Sequence, residues 1–281
     1  MTAIPPELAR KLAEKQVIPF VGAGVSMSLG LPSYASLIRQ IGEEVDFDGE
    51  IFHGLGDYLT LAEYYHLHKK GLDSLQAYLR KNWKRSQKEV LASPVHQALV
   101  GLGCDLIYTT NFDGFIEQVH RGLNRRYRAI RSVKDLVNLQ GGRTHIVKLH
   151  GDLTSPSTMV FTESSYFERL SFESPLDVKL RSDALGKSLL FIGYSLSDIN
   201  IRYLLFRLQK QWDMEPKKHL RPKSYIFLGG PNPVQEDVLR NRGIEPIVAT
   251  GTDSGLALAE FLATLRSQAD LLVYPAATLI K

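Results

Sequence analysis

Polar residues that could do chemistry follow four of the apolar runs in this chain. Gly22-Ala23-Gly24-Val25-Ser26 follows one run, and Asn111 and Asp113 follow a second. His150 follows a third run, and Ser195 follows a fourth. A glycine turn, an amide, a carboxylate, an imidazole and a hydroxyl are groups that hold a phosphorylated ligand and move a proton beside it.

The glycine turn is the first candidate for a binding element. An apolar run at 17–21 precedes it, and apolar residues at helical spacing follow between 37 and 45. Glycines let the backbone approach a phosphate, and a helix N-terminus offers free N–H groups. The pattern predicts a site for a dinucleotide pyrophosphate, although Met27 replaces the third glycine of the G-x-G-x-x-G pattern. A plain turn between a buried strand and a helix is the alternative interpretation.

Each polar residue also has a structural explanation. His150 could be a buried histidine at a strand end, and Asp113 could cap the next helix. Ser195 suits a ligand contact or a turn equally well, whereas Asp198 is expected to be a helix N-cap rather than a catalytic group. The combination of His150 with Asn111 and the glycine turn favours the catalytic interpretation.

Short apolar runs alternate with helical segments along the chain. Six such runs end near residues 21, 109, 149, 192, 228 and 249. This alternation is typical of a parallel sheet covered by helices on both faces. We therefore predict an α/β fold with a doubly wound, Rossmann-like parallel sheet of six strands. Because ligands bind outside the carboxyl ends of such strands, the polar residues are expected to lie together.

A helical insertion interrupts this alternation. Residues 51–92 read mostly as helix, and no strand pattern occurs between them. We predict one domain over residues 1–281, with a helical insertion at about 46–95.

Composition excludes several classes of function. The 281 residues carry a net charge of +4, so an anionic ligand is expected and direct nucleic-acid binding is not. No apolar run approaches the roughly 20 residues that a membrane span needs, and the location is predicted to be cytoplasmic. Cys104 is the only cysteine, which excludes a disulfide within the chain and a cysteine-rich zinc site. No metal is expected.

Four motifs, in family order, resemble those of the sirtuins. Gly22-Ala23-Gly24-Val25-Ser26 with Gly30-Leu31-Pro32 is similar to the sirtuin G-A-G-x-S…G-x-P loop. Thr109-Thr110-Asn111-Phe112-Asp113 resembles T-Q-N-x-D, and Lys148-Leu149-His150-Gly151 resembles the catalytic H-G. Gly193-Tyr194-Ser195-Leu196 resembles the G-T-S strand end. The resemblance implies the sirtuin fold, with NAD as the substrate.

The same resemblance implies a role for each matched residue. Asn111 would order water or ribose near the C1′ carbon, Asp113 would hold the nicotinamide carboxamide, and His150 would be the general base on a ribose hydroxyl or an attacking water. The other implied NAD contacts are Gly22, Ala23, Gly24 and Ser26 at the pyrophosphate, Gly193 and Ser195 at phosphate or ribose, and Gly230 and Thr250 at the adenosine.

These groups suit cleavage of the bond between nicotinamide and ribose. The reaction develops oxocarbenium character at C1′, and the cationic leaving group needs no general acid. The site must therefore position water and exclude competing nucleophiles. An amide orients water, and an imidazole accepts a proton near neutral pH.

Departures from the sirtuin pattern point away from deacylation. Sirtuin deacylases carry a four-cysteine zinc module, which one cysteine cannot build. Ser33-Tyr34-Ala35 stands where they have Asp-Phe-Arg, and Thr110 stands where they have Gln. The G-Y-S-L-x-D run ending at Asp198 resembles the bacterial sirtuin-like branch, which is associated with NAD hydrolysis in antiphage defence. The leading hypothesis is an NAD+ glycohydrolase that depletes cellular NAD+ as a defence effector.

Two other functions stay open from the sequence. One is an NAD-dependent protein deacylase or ADP-ribosyltransferase, and the other is a non-catalytic assembly subunit that binds NAD or ADP-ribose. An enzyme that drains NAD must normally be inactive, so control by homo-oligomerisation or by a second protein is expected. The resemblance implies a HerA-type ATPase as such a partner. The apolar C-terminal residues 271–275 and 279–280 are expected to pack on their own core, with docking on a neighbouring subunit as the alternative.

Overall fold

One parallel sheet organises the chain. The computed structural model describes residues 2–170, 173–196, 198–251 and 253–273. Within these ranges the strands are β1 (Val17–Val21), β2 (Leu106–Thr109), β3 (Tyr127–Ile130), β4 (Thr144–Lys148), β5 (Ser188–Ile192), β6 (Ser224–Leu228) and β7 (Ile244–Val248). They form a seven-stranded sheet in the order β3-β4-β2-β1-β5-β6-β7, and every neighbouring pair is parallel. The predicted doubly wound parallel α/β fold is confirmed.

The expected count of six strands was wrong by one, because β3 was missed. This strand lies at the edge of the sheet and pairs only with β4. Tyr127, Arg128 and Ala129 are half-buried, and only Ile130 is fully buried. An edge strand that keeps a charged side chain lacks the continuous apolar run of a central strand.

Helices cover both faces of this sheet. Within the described ranges they are α1 (Pro6–Ala13), α2 (Ala23–Met27), α3 (Tyr34–Glu44), α4 (Gly49–Gly54), α5 (Tyr58–Lys69), α6 (Asp73–Asn82), α7 (Gln87–Ala92), α8 (Pro94–Gly101), α9 (Phe115–Gly122), α10 (Glu163–Arg169), α11 (Pro175–Gly186), α12 (Ile199–Asp213), α13 (Pro233–Asn241) and α14 (Ser254–Val273). Asp198 begins α12 as its N-cap, as expected, by accepting the backbone N–H groups of Asn200 and Ile201.

The central strand β1 shows why its residues are nearly all apolar. Val17 and Val21 pack on one side, in a core shared with α1, α8, α9 and α14. Ile18 and Phe20 pack on the other side, in a core shared with α11, α12 and α13. A strand that is buried on both faces needs apolar residues at every position rather than at alternate ones.

The segment predicted as an insertion is helical, and its helices α4, α5 and α6 share a separate hydrophobic cluster with α3, whereas Val90 of α7 packs in the core that contains Val17 and Val21. Residues of α3, α4, α5 and α6 pack around Ile38, Phe52, Tyr65 and Leu79. Met159 and Phe161 from the segment after β4 join the same cluster, so the insertion packs against the end of the sheet that carries the polar residues. The division of the chain into a single domain stays a prediction.

The helices within the described ranges include none that is long and apolar enough to cross a membrane. At the C-terminal end of α14, Leu271, Leu272 and Val273 are about half exposed. This differs from the expectation that they pack on their own core. Tyr274, Pro275, Leu279 and Ile280 lie outside the described residues.

Candidate active site

A cavity of about 780 Å³ lies outside the carboxyl ends of the strands. The chain runs from β1 to β2 on one side and from β5 to β6 on the other, so the winding reverses between β1 and β5. Ligand sites in doubly wound sheets occur at this switch point. The predicted site residues on the cavity wall are Ala23, Gly24, Ser26, Asn111, Asp113, His150, Gly193 and Ser195.

Three of the residues that were expected to contact NAD do not line the cavity. Among the described residues, the cavity wall does not include Gly22, Gly230 or Thr250. Gly229 and Ser254 lie on the wall close to the two residues expected at the adenosine. Gly22 contributes indirectly, because its carbonyl oxygen accepts a hydrogen bond of 3.0 Å from Asn111 Nδ2.

The glycines allow the loop after β1 to pack closely against the loop after β5. Gly24 N–H donates to the Gly193 carbonyl oxygen at 2.8 Å, across the switch point. A Cβ on Gly22 would lie 2.4 Å from the Tyr194 ring, and one on Gly193 would lie 2.4 Å from Val25 N. Gly193 also has a φ of +59°, where side chains are strained. The turn interpretation therefore holds for Gly22, while Ala23 and Gly24 also face the cavity.

Ser26 joins the amide and the carboxylate of the second motif. Its hydroxyl donates to Asp113 Oδ2 at 2.7 Å and accepts from Asn111 Nδ2 at 3.0 Å. Asp113 Oδ1 accepts the N–H of Phe115, the first residue of α9, at 3.1 Å, but the N-cap of α9 is Gly114 rather than Asp113 as the capping explanation expected. All three polar side chains are buried, and each fixes the orientation of the next.

One atom of this network is left without a partner. Asn111 Oδ1 is buried and has no hydrogen-bond partner among the described residues. A buried acceptor normally finds a donor, because leaving it unpaired costs about 1–3 kcal/mol. Since Asn111 borders the cavity, a donor on a bound molecule would satisfy this oxygen.

A buried cation supports the same loop from behind. Lys148 Nζ donates to the carbonyl oxygen of Asp113 and lies 3.4 Å from Glu117 Oε1 and 3.3 Å from Asp152 Oδ2. Burial alone would lower the pKa of Lys148, but the carboxylates of Glu117, Asp152 and Asp113 raise it above its ordinary value. Lys148 therefore stays charged and holds the turn that carries Asp113.

His150 lies two residues further along, on the cavity wall. Its side chain is 5% exposed, and its Nε2 atom lies 3.3 Å from Asp198 Oδ2. The other ring nitrogen, Nδ1, lies 3.4 Å from the Tyr166 hydroxyl. Burial lowers the pKa of His150 to about 4, although the Asp198 carboxylate opposes this effect. The imidazole is therefore neutral at pH 7 and can accept a proton.

A comparison with protein families agrees with this arrangement. A SIR2-like domain model matches residues 105–247, which is about half of the chain and includes Asn111, Asp113, His150 and Ser195. This chain belongs to the SIR2-like family. A solved Sir2 homolog–NAD complex has a TM-score of 0.53 and 16% identity over 95% of this chain and 96% of its own. That similarity supports the fold of the SIR2-like domain.

Two curated relatives carry names that describe an activity or a role. The NAD(+) hydrolase ThsA of Bacillus cereus is 29% identical over 76% of this chain and 44% of its own length. Defense-associated sirtuin 2 of Bacillus subtilis is 24% identical over 86% of this chain and 24% of its own length. This SIR2-like chain therefore spans less than half the length of these relatives.

The structure adds polar residues to the SIR2-like site that the sequence analysis passed over. Asp198 caps α12 as expected but also contacts His150, and Tyr194 donates to the same carboxylate oxygen at 3.2 Å. Both residues lie inside the G-Y-S-L-x-D run, which was the available signal. Tyr166 comes from α10, for which no motif gave a signal, and Tyr34 and Asp57 bring α3 and the N-cap of α5 to the wall.

Metal ligands are not grouped in the described part of the SIR2-like chain. No cluster of three or more His, Cys, Asp or Glu side chains there could hold a metal ion.

Proposed function

We propose that this chain cleaves NAD+ to nicotinamide and ADP-ribose. The observation that carries the proposal is the pairing, on one cavity wall, of the neutral imidazole of His150 with the unpartnered amide oxygen of Asn111. The names of the ThsA relatives, which are NAD(+) hydrolases, and of the Sir2 homolog–NAD complex support NAD+ as the substrate.

The reaction adds water to the ribose. The water oxygen bonds to C1′, the bond between C1′ and the nicotinamide nitrogen breaks, and nicotinamide leaves with the electron pair. Asn111 Oδ1 accepts a hydrogen bond from the attacking water, and His150 takes the proton that the water gives up. Both groups are held in place before the substrate binds, which lowers the entropy cost of reaching the transition state.

The remaining wall residues bind and orient NAD+. Each carboxylate oxygen accepts more than one hydrogen bond, so Asp113 can bind the nicotinamide carboxamide while it holds Ser26 and Phe115. Gly24 and Ala23 lie at the pyrophosphate, and Gly193 and Ser195 lie at phosphate or ribose. Because the Ser26 hydroxyl is engaged by Asn111 and Asp113, its principal contribution is to orient these two residues.

The wider biological role is also a proposal. The name of Defense-associated sirtuin 2 supports a function in defence, and we propose that this defence is directed against phage. We expect a cytoplasmic enzyme that forms homo-oligomers and is controlled by assembly or by a partner such as a HerA-type ATPase. Light scattering on the purified chain, with nicotinamide release recorded on the same sample, tests the control: a monomer that works at full rate alone would contradict it.

A product assay with NAD+ separates the proposed function from its alternatives. We expect the purified chain to release nicotinamide and ADP-ribose in equal amounts without a peptide. Replacing Asn111 by Ala should lower the rate by about 100-fold, a typical loss when a positioned polar group is removed. Asn82→Ala is the matched control, because Asn82 is exposed and donates only to the Tyr78 carbonyl oxygen.

Two outcomes would overturn the proposal. Nicotinamide release that strictly requires an acyl-lysine peptide, or that leaves ADP-ribose attached to a protein, would identify a deacylase or a transferase. Tight NAD binding without turnover, with any partner present, would identify a binding subunit.

A further inference from the structure

The two carboxylate oxygens of Asp198 contact different groups. Oδ1 accepts the backbone N–H groups of Asn200 at 2.9 Å and Ile201 at 3.2 Å, which caps α12. Oδ2 lies 3.3 Å from His150 Nε2 and accepts the Tyr194 hydroxyl at 3.2 Å. The cap alone needs only the first oxygen, so the second contact is an additional feature of this site.

The partners of His150 determine which ring nitrogen carries the hydrogen. An ionised carboxylate 3.3 Å away repels a nitrogen lone pair, so Nε2, the nitrogen beside Asp198, carries the hydrogen. That assigns the hydrogen to Nε2 and leaves the lone pair on Nδ1. The Tyr166 hydroxyl lies 3.4 Å from Nδ1 and turns its hydrogen away when Nδ1 accepts a proton. Burial and the nearby Asp198 charge raise the pKa of Tyr166, so this phenol keeps its hydrogen.

We propose that Asp198 is a positioning residue that acts through His150. It holds the imidazole as the Nε2–H tautomer, with Nδ1 as the proton-accepting atom, and it stabilises the imidazolium that forms when the proton arrives. The inference rests on the proposed function. In the balanced step, the O–H bond of the attacking water breaks, its electron pair stays on oxygen, and the proton bonds to Nδ1.

The groups around His150 make Asp198 the main partner of its positive form. Tyr166, Arg169, Asp177 and Asp198 act on the ring from α10, α11 and the N-cap of α12. Tyr194 from the loop after β5 and Tyr34 from α3 act on the Asp198 carboxylate instead. Arg169 disfavours the imidazolium, and its own partner is Asp177, with which it forms an ion pair. Asp198 is the carboxylate in direct contact with the imidazole.

A purely structural role for Asp198 makes a different prediction, and the chain contains a matched control. Asp48 caps α4 with the same geometry, accepting Glu50 N–H at 2.9 Å and Ile51 N–H at 3.1 Å. It is exposed, and it is not among the cavity-lining residues. Asn caps helices about as well as Asp, so Asp198→Asn and Asp48→Asn each remove one charge and keep the cap.

The test is NMR of ¹⁵N-histidine-labelled protein at pH 7.5, with nicotinamide release measured on the same samples. We expect the wild type and Asp48→Asn to show His150 as the Nε2–H tautomer. Asp198→Asn should lose that preference and release nicotinamide about 10- to 100-fold more slowly, with little change in KM. Its acid limb of activity should also move to lower pH, because the carboxylate that raises the pKa of His150 is gone.

The two proposals fail in distinguishable ways. If the wild type releases no nicotinamide, the proposed function is wrong, while the tautomer measurement still reports on Asp198. If the wild type is active and Asp198→Asn keeps the wild-type tautomer, rate and pH profile, the inference is wrong. If Asp198→Asn does not fold, Asp198→Ser keeps a capping oxygen and takes its place, with the same expected losses.

Discussion

Lys148 and His150 lie two residues apart at the carboxyl end of β4, yet their surroundings differ. Lys148 is 1% exposed and is surrounded by the carboxylates of Glu117 and Asp152 and the carbonyl oxygen of Asp113. His150 is also buried but has one carboxylate in contact, Asp198, and borders the cavity. The Lys148 ammonium is therefore enclosed and its charge is neutralised, whereas the His150 imidazole can reach a molecule bound in the cavity.

This difference gives Lys148 and His150 different protonation states. Neighbouring carboxylates raise the pKa of Lys148, so it holds its proton and acts as a fixed charge. Burial lowers the pKa of His150 to about 4, so its imidazole is unprotonated at neutral pH and keeps a free lone pair. The same strand end therefore supplies a fixed charge that holds the Asp113 turn and a neutral imidazole beside the cavity.

Replacing Lys148 by Met should have the largest effect on stability. The substitution leaves Glu117 as a buried carboxylate without its cation and Asp152 with Arg131 alone. Removing one partner of a buried ion pair typically costs about 3–5 kcal/mol. Urea unfolding monitored by circular dichroism measures the loss. His150→Gln is the comparison, and we expect it to destabilise the protein much less. Equal losses of unfolding free energy in the two variants would contradict the structural role assigned to Lys148.

Ser26 tests whether the same distinction applies to the part of the cavity wall that carries Asn111. Ser26→Ala leaves Asp113 Oδ2 without its donor and Asn111 Nδ2 without one acceptor, at a cost of about 1–3 kcal/mol in unfolding free energy. Nicotinamide release should fall as well. Ser28→Ala is the control, since that hydroxyl donates only to the Val25 carbonyl oxygen. A stable but fully active Ser26→Ala variant would show that this network does not orient Asn111.

The smallest expected effect is in the pH dependence of the wild-type activity. Its direction follows from the lowered pKa of His150. A base with a pKa of about 4, instead of the ordinary 6.5, stays unprotonated at pH 5–7. Activity should therefore hold as pH falls to about 5 and decline with a midpoint near 4. Initial rates, with folding checked at each pH, measure this limb. A midpoint near 6.5 in a folded protein would contradict the assigned base.

Sequence patterns predicted most of the sheet. Strands β5 and β6 end at Ile192 and Leu228, where the predicted apolar runs end, because strands buried on both faces have continuous hydrophobic sequences. Strand β3 was not predicted, because it lies at the edge of the sheet and contains Arg128. Local pattern thus identifies strands in proportion to how deeply the sheet buries them.

The site was predictable only in part. Asn111, Asp113 and His150 follow strands whose carboxyl ends must meet, so topology alone brings them together. The second contact of Asp198 depends on where the far end of its carboxylate points, and spacing along the chain does not reveal this. The close packing of Gly22 against Tyr194 likewise depends on two loops that are far apart in sequence.

Nicotinamide release from NAD+ by the wild type and by His150→Ala tests the central claim most directly. Both proteins are assayed at equal concentration and pH 7.5, after circular dichroism has shown that they are equally folded. We predict release by the wild type and a rate at least about 100-fold lower in the variant, the loss expected for a general base. Equal release by the two proteins would contradict the role of His150 at this cavity.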